Sequence, residues 1–494
     1  MDAGHAPAST PIERHTGWTP ELIGHVAILL LVNVVVDTVI TAPLLVLPEL
    51  LEQFGAGQPA WLNASAMLAG AMWAPLLGRL AALHGRRQIL VLSLVLAAAG
   101  ALICLAAPTL WVFVIGRVVE GAAVASLFLT VGIVRELCAP RLGMVVTGVV
   151  TSGNAVIGIV FAFLFATLGE QYGYQVVFIT SFVFAVLTAV LVHLRLPKTA
   201  PTKTGRVDVA GAVLLGAGLA MVVGYISVGN TNGWLAAAPL ALAGLVALAG
   251  WYVLARRRAD PIIDINGLNR PLVLMLLVVV FGTGAYQSML QLFSLITQVS
   301  PAQGLGYGVA APAALSILHA VPPIGIVLGG VVSGVLTNRI GAAATLTAGV
   351  AIGTIGTLGL FVGVSSLPVA AVCSLLLSLT AGTLVTSGFN LASTLVSLDR
   401  DAAVSSLVMT MIAIGSVVFN FVGAAVLDAT HVTIAGTSMS SAVGVLTYVG
   451  IGTAAFLVAG GMAVLLLKTL RRTVATPTSP VPRTEVRPGG SRNR

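Results

Sequence analysis

Three ionisable side chains lie where the surrounding sequence is almost wholly apolar. Arg117 and Glu120 fall within Val112–Leu129, V-F-V-I-G-R-V-V-E-G-A-A-V-A-S-L-F-L, and Asp37 falls midway along the apolar run that begins near Val26. Each run is long enough to cross a bilayer as a helix, which takes roughly 20 mainly apolar residues. A charge in hydrocarbon is expensive, and such residues usually line a pathway or pair with one another. Arg117 and Glu120 are three residues apart, so a helix places them on one face. A buried carboxylate near a guanidinium has a proton affinity that small structural changes can move. Asp37 is therefore the first candidate proton carrier, Glu120 the second, and Arg117 the electrostatic regulator. The plainer alternative is a neutralised cluster that holds two helices together.

Other polar residues inside apolar runs are weaker candidates. Tyr286, Gln287 and Gln291 recur at helical spacing and could line a cavity or bond neighbouring helices. Asn154, Asn390 and Asn420 read the same way, with helix packing slightly favoured. His319 precedes Pro322-Pro323, which should kink its helix.

Composition sets the class. The chain has 494 residues, 57% hydrophobic and 8% charged, against about 25% charged in ordinary soluble domains. It reads as an integral membrane protein. The net charge of +8 is not accompanied by a basic, aromatic-interleaved surface for nucleic acid. Cys104, Cys138 and Cys373 show no C-x-x-C spacing, and small buried packing residues are the expectation. The first apolar run is too long for a cleavable signal peptide. No Ser-His-Asp arrangement, phosphate loop or metal-spaced cluster is read, so no enzyme activity, cofactor or metal is expected, and ATP-driven transport is disfavoured.

Segmenting on span length gives about fourteen membrane helices. The run 1–25 reads as a cytoplasmic N-terminal segment, 26–196 as six spans, 197–258 as a connector with two extra spans, 259–467 as six further spans, and 468–494 as a disordered tail. With the N-terminus cytoplasmic, every Lys and Arg outside the spans falls on the inside, including Arg79, Arg86, Arg87, Arg135, Arg141, Lys203, Arg206, Arg256 to Arg258, Arg339 and the tail. The outside loops carry Glu49, Glu52, Glu170 and Asp428. This is the positive-inside pattern, and it places both termini in the cytoplasm. Gly-, Ala-, Val-, Leu- and Arg-heavy usage points to a bacterial plasma membrane.

Two loops repeat. After the second span the chain reads G-R-L-A-A-L-H-G-R-R, Gly78 to Arg87; after the tenth it reads G-V-L-T-N-R-I-G-A-A, Gly334 to Ala343. Both fit G-x-L-x-x-x-x-G. Matching loops in two halves signal an internal duplication, a feature of secondary transporters. Gly78, Gly85, Arg86, Arg87, Gly334, Asn338, Arg339 and Gly341 are the candidate conformational residues.

This repeat resembles the loop motif of the major facilitator superfamily, G-x-L-a-D-r-x-G-r-r, and fourteen spans resemble its drug:proton antiporter branch. Arg117, Glu120 and Gly121 match the family's R-x-x-Q-G, with Glu120 in place of Gln. Asp37-Thr38 is similar to the branch's D-x-T. Asp208 to Gly211 resembles the D-x-x-G before its extra spans, and Asp260 to Leu268 its entry to the second half. The chain departs at Ala82 and Asn338, which replace the loop aspartate, so the acid that latches the closed state in the family is expected to be missing. The span-5 motif G-P-x-x-G-G survives only as Gly153-Asn154-Ala155-Val156-Ile157-Gly158. The resemblance implies an all-α integral membrane fold of two six-helix bundles plus two central spans. It implies secondary transport: proton-coupled efflux of hydrophobic or cationic small molecules, with substrate, protons and the lipid bilayer as partners. A facilitator-type importer, and a non-transporting sensor or scaffold, are the alternatives.

Overall fold

The structure is a computed structural model that describes residues 14–46, 50, 53–54, 59–201, 207–258, 261, 263, 268–296, 311–396, 400–434 and 437–475. Glu49, Glu52, Lys203, Arg206, Asp260 and the segment 476–494 lie outside the described residues, as do the side chains of Glu170, His319 and Asp428.

Apolar runs of this length fold as helices because a helix satisfies every backbone polar group within its own segment. Fourteen of the described helices are long and apolar enough to cross a membrane. They are α1 (Pro20–Leu45), α2 (Pro59–His84), α3 (Arg86–Leu105) and α4, which runs as Leu110–Glu120, a 3-10 stretch Gly121–Ala125 and Ser126–Leu137. Then come α5 (Pro140–Ser152 continued by Asn154–Tyr172), α6 (Gln175–Arg195), α7 (Val209–Asn232) and α8 (Trp234–Arg257). The second half holds α9 (Arg270–Ile296), α10 (Ala311–Ile340), α11 (Ala342–Gly363), α12 (Leu367–Leu395), α13 (Asp401–Ala429) and α14 (Ala442–Ala475). Pro322 and Pro323 both lie inside the one helix α10.

Two boundaries change. Helix α1 starts at Pro20, earlier than residue 26, because Thr19 caps it: its hydroxyl accepts the Leu22 N–H at 3.2 Å. Helix α14 continues to Ala475, so the first part of the expected tail is helical. The fold class is the expected all-α membrane one, and a short antiparallel hairpin, β1 (His431–Ile434) and β2 (Thr437–Ser440), connects α13 and α14.

Helices α1 to α6 pack as one bundle, chiefly α3 on α6 and α4, α1 on α5 and α6, and α2 on α4. Helices α9 to α14 form the second, with α12 against α10 and α11, and α9 against α13 and α14. The bundles meet where α2 lies on α13 and where α5 lies on α10 and α12. The extra pair α7 and α8 pack on each other, and α7 docks on α2 and α13 beside that seam. Asp208 caps α7 by accepting the Gly211 N–H at 2.8 Å and forms an ion pair with Arg258 just past α8. The D-x-x-G stretch thus ties the two extra helices together at one end. This end, where α2, α4, α8, α10 and α12 finish, carries the arginines and is called the basic end below.

Candidate functional site

The intramembrane charges separate into two environments. Arg117 and Glu120 are sealed, at 0% and 1% exposure. Arg117 donates to Glu120 at 2.5 Å and to the backbone oxygen of Val39 on α1 at 2.7 Å. Small residues make this site possible. A Cβ on Gly100 of α3 would stand 2.4 Å from the Glu120 nitrogen, and one on Gly121 would stand 2.5 Å from the Ala66 oxygen of α2. Helix α4 is therefore pressed between two neighbours, as small residues permit in membranes. Trp73 of α2 adds an indole hydrogen bond to the Val118 oxygen at 2.8 Å. The 3-10 stretch begins directly after Glu120, a departure from α geometry of the kind often found at functional hinges.

Asp37 lies differently. It is half-buried, and Asn154 of α5 donates to its carboxylate at 2.5 Å. Asn154 begins the second segment of α5, just past the turn at Gly153, so the break persists although the span lacks the family's proline. On the other bundle, the buried Tyr286 of α9 lies within electrostatic range of Asp37. Asp37 and Asn154 thus tie α1 to α5, with Tyr286 of the other bundle within electrostatic range. The Asn154 Oδ1, Gln291 Oε1 and Asn420 Oδ1 atoms are buried without a hydrogen-bond partner among the described residues. Buried amide oxygens left unpaired are costly, so these are acceptors available to a solute or water. Gln287 is half-buried on α9. Asn390 goes elsewhere: it donates to the Met144 oxygen of α5 at 3.3 Å, a tie between bundles close to the basic end.

The two repeated loops occupy equivalent positions. The first glycine of each presses on the opposite bundle: a Cβ on Gly78 would meet Ser406 of α13 at 2.7 Å, and one on Gly334 would meet the Met144 oxygen of α5 at 2.8 Å. The second glycine of each turns the chain at positive φ, 91° at Gly85 and 85° at Gly341, a region that side chains with a Cβ rarely enter.

Sequence reasoning left the first loop without an acid; the structure supplies one from the other bundle. Asp401, the first residue of α13, accepts from Arg86 at 2.9 Å and also pairs with Arg135 of α4. Arg86 further bonds the Gly132 oxygen at 2.5 Å and Glu136 at 3.1 Å. Arg135 reaches the Phe389 oxygen of α12, and the Ser405 hydroxyl of α13 at 3.1 Å. Arg86 is thus buried, not at the surface as its loop position suggests. Arg87 bonds the Leu196 oxygen at 3.1 Å. Asp401, Arg135 and Glu136 are the functional candidates that the sequence did not single out. The signal available for Asp401 was an acid at the first turn of a span, where the helix dipole favours it.

Comparison with known proteins agrees with this architecture. Residues 28–420 match the Major Facilitator Superfamily. A uridine/deoxyuridine transporter of Lactococcus lactis is 29% identical over 301 residues, which are 58% of this chain and 62% of the relative. A multidrug resistance protein B homolog of Mycobacterium tuberculosis is 29% identical over 306 residues, 56% of this chain and 55% of the relative. A triacylglyceride transporter of Mycolicibacterium hassiacum is 30% identical over 225 residues, 43% of this chain and 41% of the relative. The match spans less than two thirds of the length of these curated relatives. Among solved structures, the human organic anion transporter MFSD10 covers 90% of this chain and 100% of its own with TM-score 0.61 at 18% identity. The transporter FucP in its outward conformation covers 89% of this chain and 98% of its own with TM-score 0.59 at 16% identity. Fourteen membrane-length helices and these bacterial relatives make this a multi-pass cell-membrane protein. With four fifths of its length inside the family match and two bundles joined along the α2–α13 and α5–α10 seams, the chain belongs to the Major Facilitator Superfamily.

Proposed function

We propose that this transporter works by alternating access as a proton-coupled exporter of hydrophobic or cationic small molecules, with Asp37 as the carrier carboxylate. The observation that carries the reading is Asp37 itself: a half-buried acid about two thirds of the way along α1, hydrogen-bonded by Asn154 of α5 and within electrostatic range of Tyr286 of the other bundle. A carboxylate at that seam exchanges protons with whichever side the bundles leave open. When ionised it attracts a cation; when it takes a proton it loses that attraction and the cation leaves. The basic end faces the cytoplasm, following the distribution of Lys and Arg. The multidrug resistance relative lends support to export.

Arg117 and Glu120 serve as a positioning pair in this reading. Arg117 holds the Val39 oxygen, two residues from Asp37, and both charges are sealed from any passing ion. The test is transport into everted vesicles under an imposed pH gradient. Asp37→Asn is expected to abolish gradient-driven transport. Glu120→Gln leaves Arg117 without its charge partner, costing on the order of 3 kcal/mol of stability, while transport per folded molecule keeps its gradient dependence. Full gradient-driven transport by Asp37→Asn would remove the carrier assignment.

A second reading has its own observation. The unpartnered amide oxygens of Asn154, Gln291 and Asn420 suit a polar solute with N–H or O–H donors, and one relative is a uridine/deoxyuridine transporter. Uptake of labelled uridine by right-side-out vesicles, without export of a cationic dye by everted ones, selects that reading. Neither flux, together with no proton release from purified protein on ligand addition, selects a non-transporting sensor or scaffold.

A further inference from the structure

At the basic end, outside the central seam, the segment before α1 folds back over a cleft of about 430 Å³ lined by Arg14, His15, Glu21, His25, Leu137 and Pro197. We propose that His15, Glu21 and His25 form a binding site for a divalent transition-metal ion, with zinc the best fit. Each of the three offers one ligand atom, and these atoms all lie within 4.8 Å of one another. Zinc bonds of roughly 2.0–2.2 Å to imidazole nitrogen and carboxylate oxygen bring such atoms to a common ion with small side-chain rotations. The spacing H-x5-E-x3-H escaped the sequence reading because it contains no cysteine and straddles the helix start.

Four features distinguish this cluster from a chance meeting of polar side chains. First, Glu21 and His25 are four apart on α1 and share a helix face. Second, His25 is only 8% exposed, yet its Nδ1 has no hydrogen-bond partner among the described residues. A buried imidazole nitrogen left unpaired is costly, and a metal ion or its bound water supplies the partner. Third, His15 is held in place. Its backbone N–H donates to the Leu137 oxygen at 2.8 Å, and its own oxygen accepts from Ala139 at 2.9 Å. Its ring Nδ1 meets the Thr19 hydroxyl at 3.2 Å, leaving Nε2 for a metal, the outer-shell arrangement that orients histidine ligands. Fourth, the donor set decides the metal class. Two imidazoles and one carboxylate with an open cleft form a three-ligand zinc-type site with a vacant position, whereas calcium and magnesium take oxygen. Arg14 also lines the cleft, a positive charge that the Glu21 carboxylate must offset for a cation to bind.

An ion here would staple the segment before α1 to α1 itself. Through the His15 backbone it would also grip Leu137 to Ala139, the junction of α4 and α5. That junction follows directly after Arg135 and Glu136, so occupancy stiffens the closed basic end. This metal site stands independently of the transported substrate.

The experiment uses full-length protein without an affinity tag, purified in detergent, and measures zinc binding by competition with a chromophoric chelator. One ion per chain is expected. His15→Asn and His25→Asn should each weaken binding about tenfold or more, while His84→Asn, outside the cluster, should not. Zinc-edge X-ray absorption should show N/O ligands at roughly 2.0–2.1 Å with outer-shell scattering from two imidazoles. Monodispersity and thermal melting report folding of each variant. Should His25→Asn fail to fold, Glu21→Gln on the exposed face of α1 replaces it, with the same loss of affinity expected. No stoichiometric zinc binding by the wild-type protein, or binding equal in His15→Asn and His84→Asn, overturns the proposal.

Discussion

The two repeated loops share a backbone and differ in chemistry. Both turn at a positive-φ glycine, and both press their first glycine against the opposite bundle. After its turning glycine the first loop continues with Arg86 and Arg87, and the second with Ala342 and Ala343. Arg86 is buried in a network with Arg135, Glu136 and Asp401 that crosses from α3 and α4 to α12 and α13. In the second loop, exposed Asn338 donates one bond to the Arg141 oxygen at 3.1 Å, and Arg339 is exposed. The duplicated backbone thus supplies two equal turns, but charge is concentrated beside one. The placing of the acid also differs from the family's motif. Ala82 stands where the motif has its acid, and the acid comes from the other bundle as Asp401. A closing bond made across the seam does more than one within a loop, because separating the bundles must break it.

Three substitutions sharpen this asymmetry. The largest effect is expected from Asp401→Ala, which leaves Arg86 and Arg135 buried without the acid they share. Uncompensated buried charge costs about 3–5 kcal/mol, so the basic end should open and transport should fall about tenfold or more. Spin-label distances between α4 and α13 would report the opening; unchanged distances would mean that apolar packing alone closes this end. A smaller effect is expected from Arg86→Ala, since Arg135 still pairs with Asp401 while Glu136 loses a partner. An intermediate widening, with activity between that of wild type and Asp401→Ala, is the expected result, and an effect larger than that of Asp401→Ala would place the latch on Glu136. Asn338→Ala should do least. One exposed hydrogen bond contributes about 1 kcal/mol or less, so transport within about twofold of wild type is expected. Equal losses from Asn338→Ala and Asp401→Ala would show that the halves share the load after all.

A second contrast lies among the intramembrane charges. Asp37, Arg117 and Glu120 read in the sequence as one constellation. In the structure, Arg117 and Glu120 are sealed between α1, α2 and α3, while Asp37 is half-buried and accepts a hydrogen bond from Asn154 of α5. Spacing along α4 was enough to pair Arg117 with Glu120, because i, i+3 proximity is local. Which neighbour Asp37 meets depends on how α1 rotates against α5 and α9, which local spacing does not encode. Asn390 shows the same limit: helix packing was the slightly favoured reading, but only the structure names its partner, the Met144 oxygen of α5.

By itself the sequence determined the number of spans, the duplication and the turning glycines. Each follows from local physics: length against bilayer thickness, backbone satisfaction in hydrocarbon, and the steric cost of a Cβ at positive φ. Only the tertiary structure decided the partners of the buried charges. Arg86 and Asp401 are 315 residues apart, and His15 reaches its backbone partners at Leu137 and Ala139 across most of the first bundle's sequence. Such pairings depend on the packing of whole helices and on which faces they turn toward one another, so no window of the sequence contains them.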